Sequence, residues 1–131
     1  MPLPLATQFV HHVTLNVTDL DRAVDFLERV LGFRKVPRTD FPGALAWTGA
    51  DDTVQIHLAP TSDVQRRDDI NPHVALCVPD LPAAMAGLTE AGIPFRQFGP
   101  VVFVPDPDGN VFELRAVEPR LHLGPTAGNS E

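Results

Sequence analysis

The chain has 131 residues, 44% of them hydrophobic and 21% charged, which is the make-up of one ordinary globular domain and too little for two independent cores of usual size. Ten Lys and Arg against 17 Asp and Glu give a formal charge of -7 with the basic residues scattered, which argues against a phosphate backbone as partner, so no nucleic acid is expected. Cys77 stands alone, so there is no intramolecular disulfide; no apolar run reaches the ~20 residues of a membrane span, and the start lacks a signal-peptide pattern, so a cytoplasmic protein without a membrane partner is expected.

After a short Pro-containing lead, Phe9 to Val17 reads as a strand, with Val13, Leu15 and Val17 on one face and His12, Thr14 and Asn16 on the other. Thr18 and Asp19 offer a cap to a helix carrying Leu20, Ala23, Val24, Leu27, Val30 and Leu31 at helical spacing, with Gly32 to end it. Phe33 to Val36 is extended, Phe41-Pro42-Gly43 turns, and Ala44 to Thr48 with Thr53 to Ala59 form a hairpin in which Val54, Ile56 and Leu58 face the core. Thr61 to Pro72 is polar and reads as a linker.

The order then starts again. HVTLNVTDLDRA from His12 returns as HVALCVPDLPAA from His73, sixty-one residues later, with seven of twelve positions matched. A strand from His73 to Val78, a helix from Asp80 to Ala91-Gly92, and extended segments over 94–97, 101–104 and 110–116 repeat the first unit, with Pro105 to Gly109 as a turn. The chain is therefore read as an α+β fold of two tandem βαβββ modules with mixed or antiparallel sheets, in a single domain over 1–131: module one 9–60, linker 61–72, module two 73–117 and a flexible tail 118–131.

If the apolar parity of each sheet packs under its helix, the opposite parity forms a concave face holding His12, His57, His73 and Glu113. Three imidazoles and one carboxylate suit a divalent transition metal such as Fe(II), Zn, Mn, Ni or Co. Asn16, Gln55, Cys77 and Arg115 share that parity as candidate pocket residues, and Trp47, Phe41, Phe98 and Phe103 are candidates for an apolar wall or for the core. Arg96 and Arg115 are candidates to hold an anionic group, against a default of pairing with Asp or Glu. Cys77 reads as a small buried hydrophobe, and His11 and His122 as exposed residues outside the site.

The segments HVTLNVTDLDRAVDFLERVLGF, HVALCVPDLPAAMAGLTEAGIPF and VFVPDPDGNVFEL resemble the vicinal oxygen chelate superfamily of glyoxalases, bleomycin resistance proteins and extradiol dioxygenases over residues 9 to 117. The resemblance implies a small-molecule substrate whose adjacent oxygens chelate a divalent metal. It also implies metal ligands at His12, His73 and Glu113, with His57 as fourth ligand or as acid-base, and a homodimer with sites at its interface. A histidine at position 57 departs from the carboxylate or amide of the glyoxalases, while the absence of Tyr departs from the catechol dioxygenases. The rival expectations are a metal-free drug-binding protein of the bleomycin resistance type and, more remotely, a fosfomycin-type thiol transferase.

Overall fold

In the computed structural model of this protein, the structure describes residues 3–36, 45–48, 54–63 and 70–117, with the backbone alone at 45–48. Alternation from position 12 makes β1 (His12–Val17), which starts where the pattern becomes strict and leaves Phe9 and Val10 exposed ahead of it. The expected strand start at Phe9 is thus corrected to His12. Asp19 caps helix α1 (Leu20–Asp25), its side chain accepting from the backbone N–H of Arg22 at 3.0 Å.

The expected continuous helix to Leu31 is corrected as well: Phe26–Val30 widens into a π-helical turn, closed by the Leu31 N–H donating to the Phe26 carbonyl at 3.2 Å. Phe26 and Leu27 on this wider turn are buried, and the Phe33 N–H donates to the Leu27 carbonyl at 2.9 Å just beyond it, a local geometry that an α-periodic sequence does not reveal. Strands β2 (Arg34–Val36), β3 (Leu45–Thr48) and β4 (Gln55–Pro60) follow. Val54 is a bend residue and exposed, so the expectation of a core role for it is also corrected.

The second unit runs β5 (His73–Val78), α2 (Leu81–Ala91), β6 (Arg96–Phe98), β7 (Val101–Pro105) and β8 (Val111–Ala116). Asp80 caps α2 by accepting from the Ala83 N–H at 3.0 Å, and Gly92 ends it at φ 73°, a left-handed position that favours glycine. The chain divides into two compact units, 1–65 and 66–131. Each holds one four-stranded mixed sheet, ordered β1-β4-β3-β2 in the first and β5-β8-β7-β6 in the second.

Within each unit the first strand runs parallel to the last, because the helix between them carries the chain back over the sheet. That connection makes β4 and β8 interior strands, paired on both sides and packed under α1 and α2. The cores are Val17, Phe26, Leu27, Ile56 and Leu58 in one unit and Leu88, Val102, Val104, Phe112 and Leu114 in the other. Each such large side chain stabilises its unit by roughly 1.5–3 kcal/mol. No helix among the described residues is long and apolar enough to cross a membrane.

Candidate functional site

The parallel registers fix which side chains share the face opposite the core. In the first unit His12 lies beside Gln55 and Thr14 beside His57; in the second His73 lies beside Val111 and Ala75 beside Glu113. Since His12 and His73 are matched by the repeat, Gln55 corresponds to Val111 and His57 to Glu113. His57 is the first unit's version of Glu113, which the sequence repeat alone did not reveal. Both are buried polar residues on interior strands, 4% and 7% exposed, and so are rigidly held.

In the second unit the His73 Nδ1–H faces the Ile70 carbonyl and the Asn71 Oδ1, each at 3.0 Å. Those acceptors put the ring proton on Nδ1 and turn Nε2 toward Glu113 Oε1 at 2.9 Å. An imidazole lone pair and a carboxylate oxygen that close need a proton or a cation between them. Two donors bound about 2.1 Å from one ion at right angles stand about 3 Å apart, so this pair has the spacing of adjacent metal ligands. An outer hydrogen bond from Nδ1 to a carbonyl is also the usual support of a ligating histidine. The other carboxylate oxygen, Oε2, accepts from the Arg115 guanidinium at 3.0 Å. Arg115, expected at the pocket, is therefore tied to Glu113.

The first unit is arranged differently. The His12 and His57 rings stack, with centroids 3.8 Å apart and 10° between their planes. His57 Nε2–H donates to Gln55 Oε1 at 2.7 Å. His11, expected to be exposed and outside the site, belongs to this cluster: its Nδ1 is 2.8 Å from His12 Nδ1 and its ring meets His57 edge-on at 6.3 Å. It lies before β1 begins, so strand parity does not govern where it points. The residue types suit a divalent ion in both units, and the second unit also has the ligand spacing. Among the described residues of a unit, no three His, Cys, Asp or Glu side chains gather in a metal-holding group.

Of the remaining expected residues, Asn16 is exposed on the His12 face and Gln55 partners His57. Phe103 lies directly across from Glu113, and its ring meets His73 edge-on at 5.1 Å. Phe98 meets Phe103 at 5.5 Å. The backbone register sets Trp47 opposite Ile56 and not opposite His57; its side chain, Phe41 and His122 lie outside the described residues. Cys77 corrects the expectation of burial. It is exposed, because the face it shares with Arg115 is the one turned away from α2.

Residues 9–114 match the family described as the Glyoxalase/Bleomycin resistance protein/Dioxygenase superfamily. A probable lactoylglutathione lyase of Vibrio cholerae is 34% identical over 119 residues, which cover 79% of this chain and 86% of that protein. A catechol-2,3-dioxygenase of Bacillus subtilis is 28% identical over 120 residues, 85% of this chain but 42% of that protein. A superfamily member from Sphaerobacter thermophilus has a solved structure with a TM-score of 0.70 and 26% identity, covering 86% of this chain and all of that one.

Proposed function

This chain belongs to the glyoxalase/bleomycin resistance protein/dioxygenase superfamily, and on that premise we propose that it is a metal-dependent enzyme acting on a small molecule with two adjacent oxygens. The ligands in this proposal are His12, His73 and Glu113, with His57 as the fourth ligand or the general base. The observation that carries it is the 2.9 Å approach of His73 Nε2 to Glu113 Oε1, with Nδ1 anchored on Ile70.

A divalent ion, Fe(II), Zn, Mn, Ni or Co, would supply Lewis acidity there, polarising the substrate's oxygens and stabilising the negative charge that develops on them. The protein's own work is to hold and deliver. Arg115 fixes the Glu113 carboxylate, and the carbonyl of Ile70 fixes the tautomer of His73. His57 is the residue for proton transfer, since an imidazole gives and takes protons near neutral pH and Gln55 steers its Nε2 proton. Burial keeps bulk water from exchanging freely with it.

The likeness to a lactoylglutathione lyase supports isomerisation of a hemithioacetal; the dioxygenase likeness supports ring cleavage of a catechol. Isomerase assays against O₂ uptake with a catechol panel decide the branch. A second reading, a metal-free ligand-binding protein, is favoured by one feature: His12 and His57 stack with each other, and Gln55 occupies His57 Nε2. The lone Cys77 suits a reducing cytoplasm. Metal analysis of protein purified without chelator or affinity tag separates the two readings. Near-stoichiometric metal that falls at least tenfold in His73→Ala and Glu113→Ala supports the enzyme; substoichiometric metal unchanged by either substitution ends it.

A further inference from the structure

We propose that the row Glu113, Phe103, Arg96 across the second sheet is a binding track for an aromatic carboxylate, with the ring against the exposed Phe98 beside Phe103 and the carboxylate on Arg96. The placement of the ligand's oxygen-bearing end at Glu113 rests on the function proposed above; the aromatic and anionic ends do not.

The row follows from register. Glu113 pairs with Phe103 across β8 and β7, and Phe103 pairs with Arg96 across β7 and β6, so all three stand on one face. Two strand spacings separate the ends, about 10 Å, the span of an aromatic ring with a substituent on either side. Two rings meet Phe103, the middle of the row, nearly at right angles: His73 from β5 at 78° and Phe98 from β6 at 74°. The Arg96 guanidinium lies over the Phe98 ring, 5.0 Å from its centroid.

Each end has a chemistry that asks for a partner. Phe98 is a large apolar side chain left 43% exposed beside the buried Phe103, an edge against which a flat ring gains contact area. Stacking on Phe98 holds the guanidinium plane without using its N–H donors, and those donors form a fork that matches a carboxylate. Neither β6, Arg-Gln-Phe, nor β7, Val-Val-Phe-Val-Pro, contains an acidic residue to neutralise it. In a chain of net charge -7, a cation on a strand without carboxylates, in line with the site, selects for an anionic ligand end.

The test titrates the ¹⁵N-labelled full chain with cinnamate, which has no adjacent oxygens, and with the neutral cinnamamide. Cinnamate should move the amide signals of Arg96, Phe98 and Phe103 and bind about tenfold tighter than the amide, the worth of one charge-assisted hydrogen bond over a neutral one. Arg96→Gln should erase that preference, Arg96→Lys should keep part of it, and Phe98→Ala should weaken both ligands. Equal binding of acid and amide, or an unchanged preference in Arg96→Gln with an otherwise unaltered spectrum, overturns the track. Adding Zn²⁺ and 3,4-dihydroxycinnamate separates the two proposals. If the diol gains nothing from the metal while cinnamate still depends on Arg96, the metal reading falls and the track stands.

Discussion

At the scale of single residues, His11 carries the sharpest expectation. Both strand-leading histidines have Nδ1 engaged by a residue just before them in the chain, His11 for His12 and Asn71 with Ile70 for His73. Such partners set which ring nitrogen is left to bind, and losing one typically weakens metal binding about 10- to 100-fold. His11→Phe keeps the ring bulk but no nitrogen, so zinc affinity measured by competition with a chelating dye should fall about tenfold. His11→Asn, whose amide sits where Nδ1 does, should retain most of it. Affinity unchanged in His11→Phe would leave the 2.8 Å contact without a role. Strand alternation from His12 and His73 makes the paired positions readable in the sequence and sets Cys77 on the His73 face, whereas His11 escapes because it precedes the strand; the burial expected of Cys77 fails because its face, not its apolar chemistry, decides its exposure.

At the scale of elements, both helix starts were legible, since Asp19 and Asp80 are short acceptors placed at equivalent points of the repeat. The π-helical turn and the loss of Val54 were not, because they answer to tertiary packing that a periodic pattern does not encode. The turn before β8 shows the same limit. Its Gly109, at φ 89°, was expected as a turn residue. The part played by Asp106 was not: its Oδ1 accepts from the N–H groups of Asp108 and Asn110 at 2.8 and 2.7 Å, and its Oδ2 from the Asn110 side chain at 2.9 Å. Burial raises the pKa of Asp106 above the usual carboxylate value, and outweighs the opposing pull of those hydrogen bonds.

The folded state therefore holds the Asp106 proton more tightly than the unfolded chain, and the sign of the linkage is fixed. The contribution to stability is fully present below the unfolded pKa and is lost as pH rises through the raised folded one. Asp106→Asn removes this titration. In urea unfolding across the acidic range, the stability of the native sequence relative to Asp106→Asn should decline as pH increases. Asn also turns an N–H toward Asn110 where an acceptor stood, so the substitution should cost about 1–3 kcal/mol. A pH-independent difference would mean that Asp106 does not titrate with folding.

For the whole molecule, the repeat explains why the architecture was so readable: one βαβββ pattern, written twice, gives two sheets of the same order and register. The parallel pairing of first and last strands was less visible, because strands far apart in sequence leave no local signature of their partner. A homodimer is the assembly we propose, on the family resemblance. Sedimentation velocity at micromolar concentration should show a species of twice the chain mass, and a monomer with full metal content would exclude sites shared between chains.

The correspondence of His57 with Glu113 bears on the history of the chain as well as on its chemistry. If the halves descend from one duplicated ancestor, these positions began as the same residue and have since diverged. In the function we propose, an imidazole in place of a carboxylate at position 57 would leave a bound ion less neutralised by its ligands and more electrophilic toward a substrate's oxygens. Both residues sit on interior strands of their own sheets, so the exchange alters the chemistry offered without altering the strand that presents it.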